Sequence, residues 1–175
     1  VPKDSIWNFE ARGTTLLTIP NPQDAPDQWL KLQYPIAPLL DDANRQVTWG
    51  AAVLSARNPG DPADDLYITG IDTTSVLNKQ LLLARARSAT IERFDTWKFW
   101  DGKAWSPRAR DAAPLASPLA SEMSLHLLNL GDTNSPKWRY VMLYSELTLG
   151  PRILCRTADK PEGPWSEPQT LYTCP

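Results

Sequence analysis

Residues 138–146 read WRYVMLYSE and residues 65–71 read DLYITGI. Both runs are rich in the aromatic and β-branched side chains that are typical of buried strands. Each is followed by an apolar run that contains arginine, RILCRTA (152–158) or KQLLLARA (79–86), and then by a strand that carries tryptophan. The chain therefore contains two series of strands in the same order.

The spacing of the two series predicts a structural repeat. Their first strands open at Trp49 and Glu122, which are 73 residues apart, and their second strands are aligned by Leu66 and Arg139, also 73 residues apart. A nearly constant offset over successive strands indicates a repeated four-stranded unit. Four antiparallel strands per unit describe the blade of a β-propeller. A two-sheet sandwich of about eleven strands is the alternative, but sandwich strands do not normally recur at a fixed long period.

The sequence thus predicts an all-β fold, a β-propeller arc that forms one partial propeller over residues 1–175. We expect an incomplete blade at 6–38, a full blade at 47–106 and a full blade at 120–173. The Asp101-Gly102 pair, which lies between two tryptophan-bearing runs, predicts a hairpin.

The incomplete blade is predicted from three shorter runs. IWNFEA (6–11), TTLLTI (14–19) and DQWLKLQY (27–34) would supply its second, third and fourth strands. Fewer than three blades cannot close a ring, so we expect the remaining part of the propeller to come from a companion chain or a second copy. The opening Val1-Pro2, without an initiator Met, suggests a trimmed product.

Composition limits the function classes. The 175 residues carry 18 Lys and Arg against 20 Asp and Glu, a net charge of −2, with no basic cluster. Neither a nucleic-acid partner nor a membrane partner is expected from that balance. Eight Trp and 17 Pro favour a secreted protein of strands and loops. One His and two Cys without a CxxC spacing make a poor zinc set, so neither metal nor cofactor is expected. Cys155 and Cys174 permit one disulfide.

The candidate catalytic residue lies in ASEMSLHLLNL (120–130). In a propeller the first strand of each blade lines the central channel, which would place Glu122 at the mouth of that channel. Partial burial there would raise the pKa of Glu122 and suit it to proton transfer. The alternative is that Glu122 accepts backbone hydrogen bonds or pairs with Arg152.

Four residues are candidates for substrate binding: Trp49, Arg152, Ser121 and His126. Trp49 is either a platform for a sugar ring or a core residue. Arg152 either holds a ligand oxygen or forms a surface salt bridge. Ser121 precedes Glu122, and His126 shares the face of Glu122 because side chains alternate along a strand.

The segments SEMSLHLL and KWRYVMLYSE resemble strands of the five-bladed glycoside hydrolases of the family 43 kind. GPRILCRTADKPEGPWSEP resembles the following strands, in which R-(S/T)-A-x-x-P-x-G-P-W is a frequent blade signature. The WG and SEMS strands are also similar to uncharacterised five-bladed domains related to bacterial D-arabinan hydrolases. The resemblance covers most of residues 49–172.

The resemblance implies a five-bladed propeller in which Glu122 is the general acid that protonates the glycosidic oxygen. It also implies a second carboxylate, commonly an Asp of the first blade, and a third acid where this chain has Trp49 instead. The predicted function is a secreted glycoside hydrolase acting on an oligo- or polysaccharide of a cell wall. The alternatives are a non-catalytic carbohydrate-binding propeller, which would grip sugar with Trp49 and the loop after Pro59, and a scaffold that binds another protein.

Overall fold

The fold is all-β, as the sequence predicts. The computed structural model describes residues 11–55, 64–75, 77–146 and 150–175. These residues form eleven strands in three antiparallel sheets, joined by loops and short 3₁₀ turns, and they contain no α-helix. The strands are β1 (Gly13–Thr18), β2 (Leu32–Pro38), β3 (Val47–Ser55), β4 (Asp65–Asp72), β5 (Gln80–Arg87), β6 (Lys98–Trp100), β7 (Trp105–Ser106), β8 (Met123–Asn129), β9 (Trp138–Ser145), β10 (Arg152–Ala158) and β11 (Gln169–Thr173).

Both predicted four-strand series form sheets in chain order. The middle sheet has the order β3-β4-β5-β6-β7, and the terminal sheet has the order β11-β10-β9-β8. The predicted hairpin at Asp101-Gly102 joins β6 to β7. The Asp101 carboxylate accepts hydrogen bonds from the backbone N–H of Lys103 and Ala104 at 2.8 and 2.7 Å, and Gly102 has a φ of +96°. Turn chemistry at this position therefore produced the expected structure.

The first part of the chain forms a two-stranded sheet of β1 and β2. The predicted strand 27–34 is wrong at its beginning, because Pro26–Gln28 is a 3₁₀ turn and β2 begins only at Leu32. Proline at the start of that turn fixes the φ angle that the turn needs and donates no hydrogen bond to a ladder. Residues 6–10 of the predicted strand IWNFEA lie outside the described residues.

A β-bulge interrupts the first strand of the middle sheet. After the pair Trp49–Gly70, the three residues 50–52 lie opposite Thr69 alone. The Thr69 hydroxyl fills the gap, because it accepts a hydrogen bond from the backbone N–H of Ala52 at 2.7 Å and donates one to the Ala52 carbonyl at 3.1 Å. In the terminal sheet, β8 pairs with β9 without a register shift. The two first strands therefore differ by two inserted residues.

The bulge corrects the predicted correspondence of Trp49 with Glu122. Gly70, the partner of Trp49, lies 73 residues before Leu143, and Leu143 pairs with Ser124. With the second strands aligned at the predicted offset, the position that matches Trp49 is Ser124, two residues beyond Glu122. Trp49 and Glu122 do not occupy equivalent places in their sheets.

The three sheets are stacked with the middle sheet between the other two. One face of the middle sheet packs Trp49, Ile68 and Phe99 against Ile36 and Ala37 of the β1–β2 sheet. Its other face packs against the terminal sheet in two clusters that contain Tyr67, Ile71, Leu81 and Leu83 from the middle sheet and Leu125, Tyr140, Met142 and Tyr144 from the terminal sheet. The rings of Tyr67 and Tyr140 meet edge to face, 6.4 Å apart. The first strands β3 and β8 are also in contact.

A buried guanidinium fixes the terminal sheet to the segment that precedes it. Arg156 is 8% exposed, and it donates hydrogen bonds to the Tyr144 hydroxyl at 2.9 Å and to the Ser166 carbonyl at 2.8 Å. It also reaches the Ser117 carbonyl at 3.4 Å. Ser117 lies in the segment that connects the middle sheet to β8, so this contact helps to hold that segment in place.

Candidate functional site

Glu122 directly precedes β8, at the edge of the terminal sheet. The two residues Leu119 and Ala120 are buried and hold the chain against the core, while the Glu122 side chain is exposed. Its carbonyl accepts a 3.3 Å hydrogen bond from the backbone N–H of Ser145. The carboxylate has no hydrogen bond or ion pair within the described part of the chain. The partial burial expected of Glu122 is therefore not observed within the described residues, where the side chain is exposed.

Ser121 connects the two larger sheets. Lys79, which precedes β5 of the middle sheet, donates a 2.8 Å hydrogen bond from Nζ to the Ser121 hydroxyl. Four residues earlier, the Ser117 hydroxyl bonds Oδ1 of Asn78 at 2.5 Å. Backbone bonds between Leu81 and the segment 115–116 complete the attachment. The chain thus enters β8 along a fixed path, and Ser121 contributes to that path.

Arg152 pairs with Glu146 and not with Glu122. The guanidinium of Arg152 donates to Oε1 of Glu146, and the backbone N–H of Glu146 donates to the Arg152 carbonyl at 2.8 Å. The hydrogen bond from Arg152 lowers the pKa of Glu146, and the same bond raises the pKa of Arg152. Arg152 is half exposed, so the structure places it in a surface salt bridge. The alternative interpretation, in which Arg152 pairs with Glu122, is therefore wrong.

His126 lies on the same face of β8 as Ser124, and the face it was predicted to share with Glu122 stays a prediction because Glu122 precedes the strand. Leu125 is buried between the more exposed Ser124 and His126. His126 is exposed and pairs across the ladder with Val141. Four residues of strand separate it from Glu122, roughly 13 Å. The two side chains therefore do not form one compact site.

Trp49 is a core residue. It is 3% exposed, and its ring meets Trp97 and Phe99 edge to face at 6.4 and 5.2 Å. Gly70 lies against it so closely that a Cβ there would come within 2.6 Å of the indole. Of the two sequence interpretations, the structure places Trp49 in packing, with no face of the ring open to a sugar. The loop after Pro59, the other part of the predicted sugar grip, lies outside the described residues.

The structure brings five polar side chains to one edge of the two larger sheets, which we term the charged edge: Lys79, Ser121, Glu122, Glu146 and Arg152. Sequence reasoning identified three of them and missed the roles of Lys79 and Glu146. A signal for Glu146 was available, since it ends one strand of an antiparallel pair and Arg152 begins the next. Residues at such positions lie opposite each other. For Lys79 the sequence gives no such signal, because its partner belongs to the other sheet.

The described residues, 11–55, 64–75, 77–146 and 150–175, contain neither a metal-ligand cluster nor a membrane-spanning helix. No three His, Cys, Asp or Glu side chains there come together as ligands of a metal would. No helix in that part of the chain is long and apolar enough to cross a bilayer.

The chain belongs to the family described as domain of unknown function DUF4185, whose model matches residues 6–174. No curated protein matches the chain. A crystal structure from Bacteroides ovatus ATCC 8483, described as that of a "putative hydrolase", is similar in fold, with a TM-score of 0.60 and 18% sequence identity. The match covers 94% of this chain and 38% of the Bacteroides ovatus chain. At that identity the similarity shows a shared fold.

Proposed function

We propose that this chain is part of a glycoside hydrolase and that Glu122 is the proton donor. The observation that carries the proposal is the Glu122 carboxylate, exposed and without a side-chain partner among the described residues, at the start of the first strand of its sheet. The description of the Bacteroides ovatus structure, which names a hydrolase, supports the reaction class.

The proposed architecture is an arc of a five-bladed propeller in which β3 and β8 line a channel. Support comes from the stacking of three antiparallel sheets and from the contact between the two first strands. The remaining blades belong to the rest of a longer protein or to a second copy. They would cover the face of the terminal sheet that carries Ser124, His126 and Leu128, and would close the channel around the charged edge.

The two carboxylates of the charged edge suit different tasks. Arg152 holds Glu146 in its ionised form, which suits Glu146 to stabilise positive charge on the sugar and not to donate a proton. No cation holds Glu122 in that way among the described residues. A general acid donates its proton to the leaving oxygen, so its carboxyl group must be free to contact that oxygen. The second catalytic carboxylate is assigned to the remaining blades.

The proposed substrate is a cell-wall polysaccharide outside the cell, with D-arabinan as the first polymer to test because of the resemblance of the WG and SEMS strands. Ser121, Arg152 and His126 are the proposed contacts to the sugar. The proposal requires no metal and no cofactor.

The test is to measure the release of reducing ends from D-arabinan, L-arabinan and xylan by the full-length protein. Glu122→Gln should lower kcat at least about 100-fold, because a general acid contributes roughly that much. Its unfolding midpoint should stay unchanged because the side chain is exposed. Glu167→Gln, a matched change at another exposed glutamate, should keep full activity.

Undiminished activity of the Glu122→Gln variant would refute the assignment. If the protein hydrolyses none of these polymers but binds one of them saturably, the carbohydrate-binding alternative replaces the enzyme.

A further inference from the structure

A polar pocket lies at the opposite end of the middle sheet from the charged edge. Arg85 and Arg87 are near the end of β5, six and eight residues beyond Lys79, so roughly 20 Å or more separates them from the charged edge. The pocket has a volume of about 350 Å³. We term it the basic pocket, and it is lined by Asp65, Arg85, Ala86, Arg87, Thr90, Thr96 and Lys98.

The strand register places three cations together in this pocket. Arg85 lies directly opposite Lys98 on β6, and Arg87 follows two residues later on the same face of β5. Like charges directly opposite each other on neighbouring strands destabilise a sheet. One lining carboxylate, that of Asp65, lies directly opposite Arg87 on β4 and is 3.8 Å from the Arg85 guanidinium. The lining of the pocket therefore carries two positive charges more than negative ones.

The hydrogen-bond donors of these cations are unused by the described residues. Arg87 and Lys98 are exposed, and within the described residues neither side chain takes part in a hydrogen bond or an ion pair. Arg85 makes a cation–π contact with Trp105, with its Cζ atom 4.5 Å from the ring centroid. The Thr90 and Thr96 side chains line the same space, where the Thr96 hydroxyl donates to the Arg93 carbonyl at 2.8 Å. Two guanidinium groups and an ammonium group around one space are a donor set that tetrahedral oxyanions prefer.

We propose that the basic pocket binds a phosphate- or sulfate-type oxyanion. The ligand is either the free ion or the same group esterified to a saccharide. The basic pocket is separate from the charged edge. Binding would remove the repulsion between Arg85 and Lys98. The proposal goes beyond the proposed hydrolase activity and does not depend on it.

The experiment is isothermal titration calorimetry of the protein with sodium phosphate, sodium sulfate, glucose 6-phosphate and galactose 6-sulfate at constant ionic strength. We expect saturable binding of at least one of them, weakened at least about tenfold in the Arg87→Gln/Lys98→Gln double variant, because both cations are lost. Both side chains are exposed, so the fold should persist. Lys31→Gln, which removes an exposed cation outside the pocket, should leave the affinity unchanged.

Tighter binding of the sugar esters than of the free ions would identify an esterified ligand, and equal binding would identify the free oxyanion. Absence of saturable binding up to roughly 10 mM, or equal affinity of the double variant and the unaltered protein, would overturn the proposal. A loss of affinity in Lys31→Gln as large as that in the double variant would do the same, since it would indicate attraction by overall charge.

Discussion

The middle and terminal sheets have the same strand order but differ in how much of their surface is covered. β4 and β5 of the middle sheet are buried almost throughout, because other sheets pack on both faces. In the terminal sheet every residue of β11 is exposed, and Leu128, Trp138, Leu171 and Tyr172 are large apolar side chains open to water. The same strand pattern is therefore buried in one sheet and exposed in the other, depending on which sheets pack against it.

The largest expected effect is on the free energy of unfolding, and it is measured by replacing one tryptophan in each sheet. Trp49→Ala should lower the free energy of unfolding by about 3–5 kcal/mol, because it leaves a cavity beside Trp97 and Phe99. Trp138→Ala, at a position 52% exposed, should change it by about 0.5 kcal/mol or less. Urea unfolding monitored by circular dichroism measures both. Equal losses for the two variants would contradict the assignment of a covered and an open sheet.

A smaller effect on stability concerns the turn that joins β2 to β3. Asp41 accepts hydrogen bonds from the backbone N–H groups of Ala43 and Arg45 and from Nε of Arg45, whose guanidinium also reaches the carbonyls of Ala109 and Ala112. Burial raises the pKa of Asp41, but these bonds together outweigh it, so the pKa lies below 3.8. Asp41→Asn should cost about 1–2 kcal/mol at pH 7, because charge-assisted bonds are lost.

The pH dependence of that loss has a defined sign. A carboxyl group whose pKa is lower in the folded state stabilises the fold above its unfolded pKa, and the stabilisation disappears as the pH falls through the folded value. The difference between the unaltered protein and Asp41→Asn should therefore be constant above about pH 5 and should shrink below pH 3.8. Urea midpoints between pH 2.5 and 7 test this, at roughly half-unit steps. A difference that stays constant down to pH 2.5 would show that Asp41 stabilises the fold without its charge.

The smallest expected effect is a difference in reaction rate between the two cysteines, which are not bonded to each other. Cys155 lies on β10 and is partly buried, and burial raises its pKa, whereas Cys174 is exposed. Because the thiolate is the reactive form, Cys174 should react several-fold faster with a thiol reagent such as DTNB at pH 8. The single variants Cys155→Ser and Cys174→Ser separate the two rates. If further sheets cover the terminal sheet in a longer protein, Cys155 should react more slowly there, and an unchanged rate would count against such cover.

Local patterns explain most of what the sequence predicted correctly. The order of the strands in both larger sheets, the hairpin at Asp101-Gly102 and the position of Glu122 before β8 follow from apolar runs, turn residues and period-two alternation. These features depend on residues close together in the chain, which is why they can be predicted. The start of β2 was missed because a proline turn displaced it.

The errors concern contacts between distant parts of the chain. The bulge at residues 50–52 is stabilised by Thr69 of the neighbouring strand, and it displaced the predicted match of Trp49 with Glu122. The pairing of Arg152 with Glu146 and of Lys79 with Ser121 depends on which strand ends meet at the charged edge. None of these partners can be chosen from spacing alone.

The sequence by itself determined that this chain is built from two successive four-strand series, because strand propensity and alternation are properties of short segments. Only the tertiary structure decided which faces are covered, which carboxylate has a cation and which remains in water. Burial and pairing depend on the distance between groups in space, and that distance is set by how the sheets stack and not by where residues fall along the chain.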